Sequence, residues 1–235
     1  MEKSKCGSST NTLPLMGALT SARKAASGDH RGRPFVTDIT RGWRTEFTGE
    51  LFEQWVNKTA NYLESEFGSG VRLHVNMRAC WLWPVLVAAL DEIEGCFTSI
   101  DTADAIMMHG VLDHPPCPVL AVNDHPMAMP FPHELPAKHL DFFREVRGGA
   151  DARGSGPVHS ELLVDNADAR IAADIAATLS PLEANIRIAV TVPAGPVDAL
   201  WAVEQLSLTP WLSRGSLVIT DGSSRLESER VDVTR

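Results

Sequence analysis

The sequence predicts an α/β fold of layered, mostly parallel sheets covered by helices, built from two pseudo-repeated α/β units. Three observations carry this. First, apolar residues recur at helical spacing in two stretches, and each stretch is followed by a short strand-like run, a second apolar helix and a second strand. Second, the halves share landmarks. One has Glu50-Leu51, Arg72-x-x-Val75, Leu82-Trp83 and Gly95 six residues before Asp101; the other has Glu161-Leu162, Arg187-x-x-Val190, Leu200-Trp201 and Gly215 six residues before Asp221. Third, 235 residues at 44% hydrophobic are enough to bury a sizeable core.

Taken in order, residues 1–33 are rich in Ser, Gly, Lys and Arg and read as a mobile lead-in, with a short helix at Met16 to Ala26. A first α/β unit spans 34–147. It opens with a hairpin of Phe35–Ile39 and Trp43–Phe47 around Arg41-Gly42. Thr48 is an N-cap, and Leu51, Phe52, Trp55, Val56, Ala60, Leu63 and Phe67 form a helical stripe that Gly68 ends. Val71 to Met77 reads as a strand. Trp81 to Glu94 reads as a helix that tolerates Pro84 only in its first turn. Cys96 to Ile100 is the next strand. Between 113 and 136 lie seven prolines and three histidines, with one strand at Pro118 to Val122 and a short helix near Lys138–Val146.

A Gly-rich connection covers 148–157, and a second α/β unit covers 158–235. Glu161-Leu162 opens a helix through Leu163, Ala167, Ile171, Ile175 and Leu179. Ile186 to Val192 is a strand, Asp198 to Leu212 a helix interrupted near Pro210, and Leu217 to Thr220 a strand. Trp83 and Trp201 are expected as core anchors.

Charge and cysteines narrow the function. A formal charge of -9 without a Lys/Arg cluster excludes a nucleic-acid partner. The longest apolar run, Trp81 to Leu90, is too short to span a membrane, and no signal core follows Lys3 and Lys5. Four cysteines without a C-x-x-C pair read as reduced thiols in a cytoplasmic protein.

Three stretches invite chemistry. "GGADARGSGPVHSELL" has the form of a glycine-rich loop running into a helix start, an arrangement that can hold an anion. His109, His114, His125, His133 and His139 crowd one segment near Asp113 and Cys117, but their spacing fits no metal motif, so packing or surface roles are expected and no metal. Ser155 between two glycines lacks the preceding strand that a nucleophile elbow requires.

The run from Thr45 to Asp101 resembles the opening of the adenylate-forming superfamily, the AMP-binding acyl-CoA synthetases and related ligases. Thr48-Gly49-Glu50-Leu51, Val71-Arg72-Leu73 and Gly95 to Asp101 carry the likeness. "VHSELLVDNADARIAADIAATL" is similar to the segment after that superfamily's phosphate loop, and "ERVDVT" to a run beyond its next strand. The resemblance covers only the N-terminal portion, and is most like a short actinobacterial family of truncated members. It implies ATP-dependent activation of a carboxylate.

At the phosphate-loop position, however, Arg153, Gly154, Ser155, Gly156 and the following His159 stand without the family's threonines or Lys, and Asp151 carries the wrong sign. Each lost transition-state contact costs roughly 3 kcal/mol. The resemblance therefore implies a pseudoenzyme with no catalytic residues and no cofactor, in which residual AMP or ATP binding is all the loop could retain. The loop itself is expected to be a flexible remnant. Such a chain would act through ligand or protein binding, as a homo-oligomer or with a partner protein. The alternative is an adenylate- or CoA-binding enzyme or subunit that activates a carboxylate substrate and is completed by a partner chain.

Overall fold

The computed structural model describes residues 15–30, 32–153, 163–164, 185–222 and 226–235. The opening helix α1 runs Leu15–Asp29, beyond the expected Ala26. The hairpin forms as β1 (Pro34–Asp38) and β2 (Thr45–Thr48), antiparallel around a tight turn in which Arg41 takes a left-handed backbone, φ 61°. Thr48 caps α2 (Gly49–Phe67), its hydroxyl accepting from the Leu51 N–H, and Gly68 ends the helix at φ 85°. Then follow β3 (Arg72–Asn76) and α3 (Leu82–Glu92), with Pro84 in the first turn of α3.

The next strand, β4, is Cys96–Phe97 only, because a short helical turn at Ile100–Thr102 takes the rest of the expected run. Strands β5 (Ala105–His109), β6 (Val119–Val122) and β7 (His139–Asp141) lead into α4 (Phe142–Arg147). Leu163–Val164 is a strand, β8, which corrects the expected helix at those two residues. After β9 (Arg187–Thr191) come α5 (Ala199–Val203), a π-helical turn at Glu204–Leu208 and α6 (Thr209–Leu212). Pro210 has no N–H to continue the ladder, and Thr209 donates instead to the Glu204 carbonyl, five residues back. Strands β10 (Ser216–Thr220) and β11 (Val233–Thr234) finish the chain.

Two sheets result. One has the order β7-β6-β5-β3-β4-β8 and is parallel throughout; the other has the order β11-β9-β10-β1-β2, parallel except for the β1–β2 hairpin. The central strand β5 has no polar alternation to reveal it, since it is sheathed on both faces. A continuous core joins the sheets through α2, α3 and the α5–α6 stretch, with Phe52, Leu63, Leu82, Leu86 and Trp83 fully buried. Trp83 is the anchor expected of it, whereas Trp201 is only half-buried at the core margin.

The repeat is visible bond by bond. The Gly95 N–H donates to the Leu90 carbonyl and the Gly215 N–H to the Pro210 carbonyl, both at 2.8 Å. The next residue reaches back to the start of the neighbouring strand, Cys96 to Val71 and Ser216 to Ile186. Asp104 closes on Arg72, its N–H donating to the Arg72 carbonyl and its carboxylate accepting the Arg72 N–H. Asp232 does the same to Arg187. Strands β3, β4 and β5 thus correspond to β9, β10 and β11.

The flanking strands are exchanged. β1 lies parallel to β10, in the sheet of the second repeat, while β8 lies parallel to β4, in the sheet of the first. Cys80 and Cys117 are free thiols, but Cys96 is disulfide-bonded, which corrects the expectation of reduced thiols throughout. Among the described residues no helix is long and apolar enough to cross a membrane.

The two equivalent glycines have no room for a side chain. A Cβ on Gly215 would sit 2.3 Å from the Ile186 carbonyl oxygen, and one on Gly95 would sit 3.0 Å from that of Val71. Gly215→Ala is expected to cost ~3 kcal/mol, a fall in Tm of roughly 6–12 °C. Gly195→Ala, where nothing lies within 4 Å, should leave the melting curve in place. Thermal unfolding followed by circular dichroism checks both.

Candidate functional site

Of the expected loop residues, Gly154, Ser155, Gly156 and His159 lie outside the described residues, as does the helix start at Glu161. Arg153 is described, and its guanidinium is committed. It pairs with Glu64 at 2.8 Å and donates to Asn61 Oδ1 at 3.2 Å. The segment before it is strapped along α2. Asn57 donates to the Asp151 carbonyl, Asn61 to those of Ala150 and Ala152, Lys58 to that of Arg147, and Lys58 also pairs with Asp151. Residues 148–153 are therefore a docked strap and not a loose tether. The open cleft beside it, about 600 Å³, carries Glu50, Glu53 and Asp151 against Lys24 and Arg153. A lining with more carboxylates than cations repels a triphosphate.

A different cluster forms where the carboxyl ends of both sheets meet, the edge at which open α/β sheets present ligand sites. β1 ends in Asp38, whose carboxylate accepts from the Thr40 N–H and hydroxyl and from the Trp81 N–H, fixing the turn that follows. That turn places Arg41, whose backbone N–H donates to Asp221 just past β10 at 2.8 Å. Arg78 follows β3, is bridged to Pro196 beyond β9, and its carbonyl accepts the Trp83 indole N–H at 3.1 Å. His109 ends β5, and Asp124 follows β6. Both guanidinium groups pair with the Asp124 carboxylate, and His109 Nδ1 lies 3.9 Å from it.

This cluster is unsatisfied. Nε of Arg41 and Nε of Arg78 are buried without a hydrogen-bond partner, and the His109 ring has only the Val122 backbone close enough to act on it as a hydrogen-bond partner, without the geometry of a full bond. Buried polar atoms in folded proteins are nearly all paired, and a group of orphans at one place marks a site that something else completes. Burial, aided by the Arg41 charge, lowers the His109 pKa to about 4. The ring is therefore neutral at physiological pH, a weak base but a sound hydrogen-bond donor and acceptor. Beside it, Trp43 is 59% and Met127 68% exposed, and the Trp43 ring lies 6.4 Å from that of His125. Anion-holding groups thus stand next to an apolar surface.

Three of the other four segment histidines have local roles. His139 Nε2 accepts the Leu112 N–H, His125 Nδ1 accepts the Met127 N–H, and His133 packs edge-on against Phe131. In the sequence His109 is one of five crowded histidines, and nothing local distinguishes Arg41, Arg78 or Asp124 as site residues. The one signal available was that Arg41, His109 and Asp124 sit at or just past strand ends.

No protein-family model matches the sequence, and no curated protein matches it. Solved structures do. The chain is similar to the Brucella canis acyl-CoA synthetase at TM-score 0.61 and 12% identity, covering 88% of this chain and 44% of that one. It is similar to a Mycobacterium tuberculosis fatty acyl CoA synthetase at 0.61 and 10%, covering 94% and 49%. It is also similar to the L. pneumophila fatty acyl-adenylate ligase solved with acyl adenylate and pyrophosphate, at 0.59 and 8%, covering 92% and 43%. The chain spans less than half the length of each. At these identities the likeness establishes the fold, that of the N-terminal domain of adenylate-forming enzymes.

The lowered pKa of His109 sets a pH dependence. Above its ordinary value of 6.5 the ring is neutral in both folded and unfolded chains. As pH falls below that value the unfolded chain takes up a proton that the folded site refuses, so stability is lost until about pH 4. At pH 5 the loss is about 2 kcal/mol from this group, and His30, also lowered by burial, adds to it in the same direction. The fall in Tm between pH 7 and pH 5 is expected to be clearly smaller in His109→Gln than in the native chain. Equal falls would show that the ring is not held neutral.

Proposed function

We propose that the chain is a non-catalytic relative of the adenylate-forming ligases which binds a small acidic ligand at the shared carboxyl edge of its two sheets. The observation that carries this reading is the convergence of His109, Arg41 and Arg78 around one carboxylate, with a guanidinium Nε of each arginine buried and unpartnered. A carboxylate or phosphate entering there would take up the guanidinium donors that Asp124 now shares, and its apolar body would lie against Trp43 and Met127.

Three features favour binding over turnover. A ring held neutral down to about pH 4 has little basicity with which to take up a substrate proton. Arg153 is spent on Glu64, and the cleft beside it is lined by more carboxylates than cations. The second reading, a ligase subunit completed by a partner chain, draws on the exposed Trp43, Met127 and Met129 beside the same edge, which a partner or a second copy would cover.

Two measurements separate the readings. Thermal shift with a panel of carboxylic acids that carry no phosphate is expected to show at least one stabilising compound, since a ligand at a hundred times its Kd adds about 2.7 kcal/mol to the folded state. Arg78→Ala should abolish that shift. Pyrophosphate release from ATP with the same acids is expected to stay at background. Release above background would replace the binding reading with the ligase one, and a panel that shifts nothing would remove the binding reading.

A further inference from the structure

The outer face of the five-stranded sheet carries a second and separate concentration of positive charge. On this face Thr37, Arg187 and Ser216 are in register with the small apolar patch of Ile39, Ala189 and Val218, two residues further along their strands. Arg187 lies flat across the strands. Its guanidinium donates to the Pro34 carbonyl, the hydroxyls of Ser216 and Thr37, and the carbonyl and carboxylate of Glu229. Together with Arg33, Arg44 and Arg230 it lines a pocket of about 350 Å³.

Four guanidinium groups there meet one carboxylate. Glu229 is buried and already divided between Arg44 and Arg187, and Glu46 holds Arg44 from outside the pocket. Among the described residues the Arg33 guanidinium donates only to a backbone carbonyl, that of Asp29, and the Arg230 guanidinium has no hydrogen bond or ion pair. Two cations are thus left without a counter-charge in a chain whose formal charge is -9. His30 sits among these charges: burial is the main cause that lowers its pKa, Arg33 and Arg187 add to it, and the Arg214 carbonyl and Asp29 oppose it. Asn185, held at the rim with φ 65°, adds amide donors.

A planar fork of donors on a concave wall is the arrangement that recognises a tetrahedral dianion. We propose that this pocket binds a phosphate group carried by a small molecule, at a site independent of the carboxyl edge. The pocket is large enough for a phosphate monoester, and its walls offer donors in excess: the guanidinium groups of Arg33 and Arg230, with Asn185 beside them. Glu229 keeps Arg44 and Arg187 in place and so shapes the floor, leaving the other two arginines to hold the ligand.

The test is calorimetric titration of the full chain with inorganic phosphate, pyrophosphate and AMP at constant ionic strength, with chloride as the screening control. Saturable phosphate binding is expected, and tighter binding of AMP than of free phosphate would assign the group to a monoester. Arg33→Ala and Arg230→Ala break no carboxylate pair, so both should fold as the native chain does, and each should weaken binding about tenfold. Arg78→Ala, at the other edge, should leave phosphate affinity unchanged, which keeps this result separate from that of the carboxyl-edge site. Heats no greater than those of chloride would overturn the proposal, as would binding that neither arginine substitution weakens.

Discussion

The parallel pairing of β1 with β10 is the constraint on which the rest depends. It places the first strand of the chain in the sheet built by the last third, while β8 returns to pair with β4 in the sheet of the first repeat. Neither repeat therefore completes a sheet alone. α2, leaving the hairpin of one sheet and entering β3 of the other, must cross between them, and its stripe of Phe52, Val56, Ala60 and Leu63 faces a core shared by both.

The same pairing decides where chemistry can occur. Parallel strands bring their carboxyl ends to one edge, and the exchange brings the edges of two sheets together. Asp38 and Asp221 from one sheet, with Arg78, His109 and Asp124 from the other, then meet around the strained Arg41 turn. The turn is bonded on both sides, through Asp38 and Asp221, and this offsets its unfavourable backbone. The opposite use of arginine is seen at Arg23, which is fully buried between Glu53 and Glu92 and ties α1 to α2 and α3. Arg153 is likewise structural. Counting charge along the chain does not distinguish these roles, because a guanidinium is a binding group only where its partners leave it donors to spare.

Much of the scaffold was legible. The caps at Thr48 and Gly68, the early Pro84, the break ahead of Pro210 and the matched Gly95 and Gly215 all act within a few residues of themselves, so local pattern reveals them. β5 escaped because a strand sheathed on both faces shows no alternation. Leu163–Val164 escaped because Leu and Val fit a helical stripe as well as a strand, and the pairing that chose between them lies with Cys96 and Phe97, far off in sequence. The glycine-rich stretch drew attention by composition, but the described part of it is strapped to α2 by Asn57, Lys58 and Asn61, whose amides and amine could have served any neighbour.

What the sequence determined by itself was the class of fold and its doubling, since helix and strand periods, caps and the repeated Arg, Trp and Gly landmarks are properties of short stretches. What only the tertiary structure decided was which sheet each flanking strand joins, and hence which side chains converge. Arg41, Arg78, His109 and Asp124 are separated by up to 83 residues. Their meeting, the burial that keeps His109 neutral and the polar atoms left without partners arise from strand exchange between the sheets, an interaction no local stretch encodes.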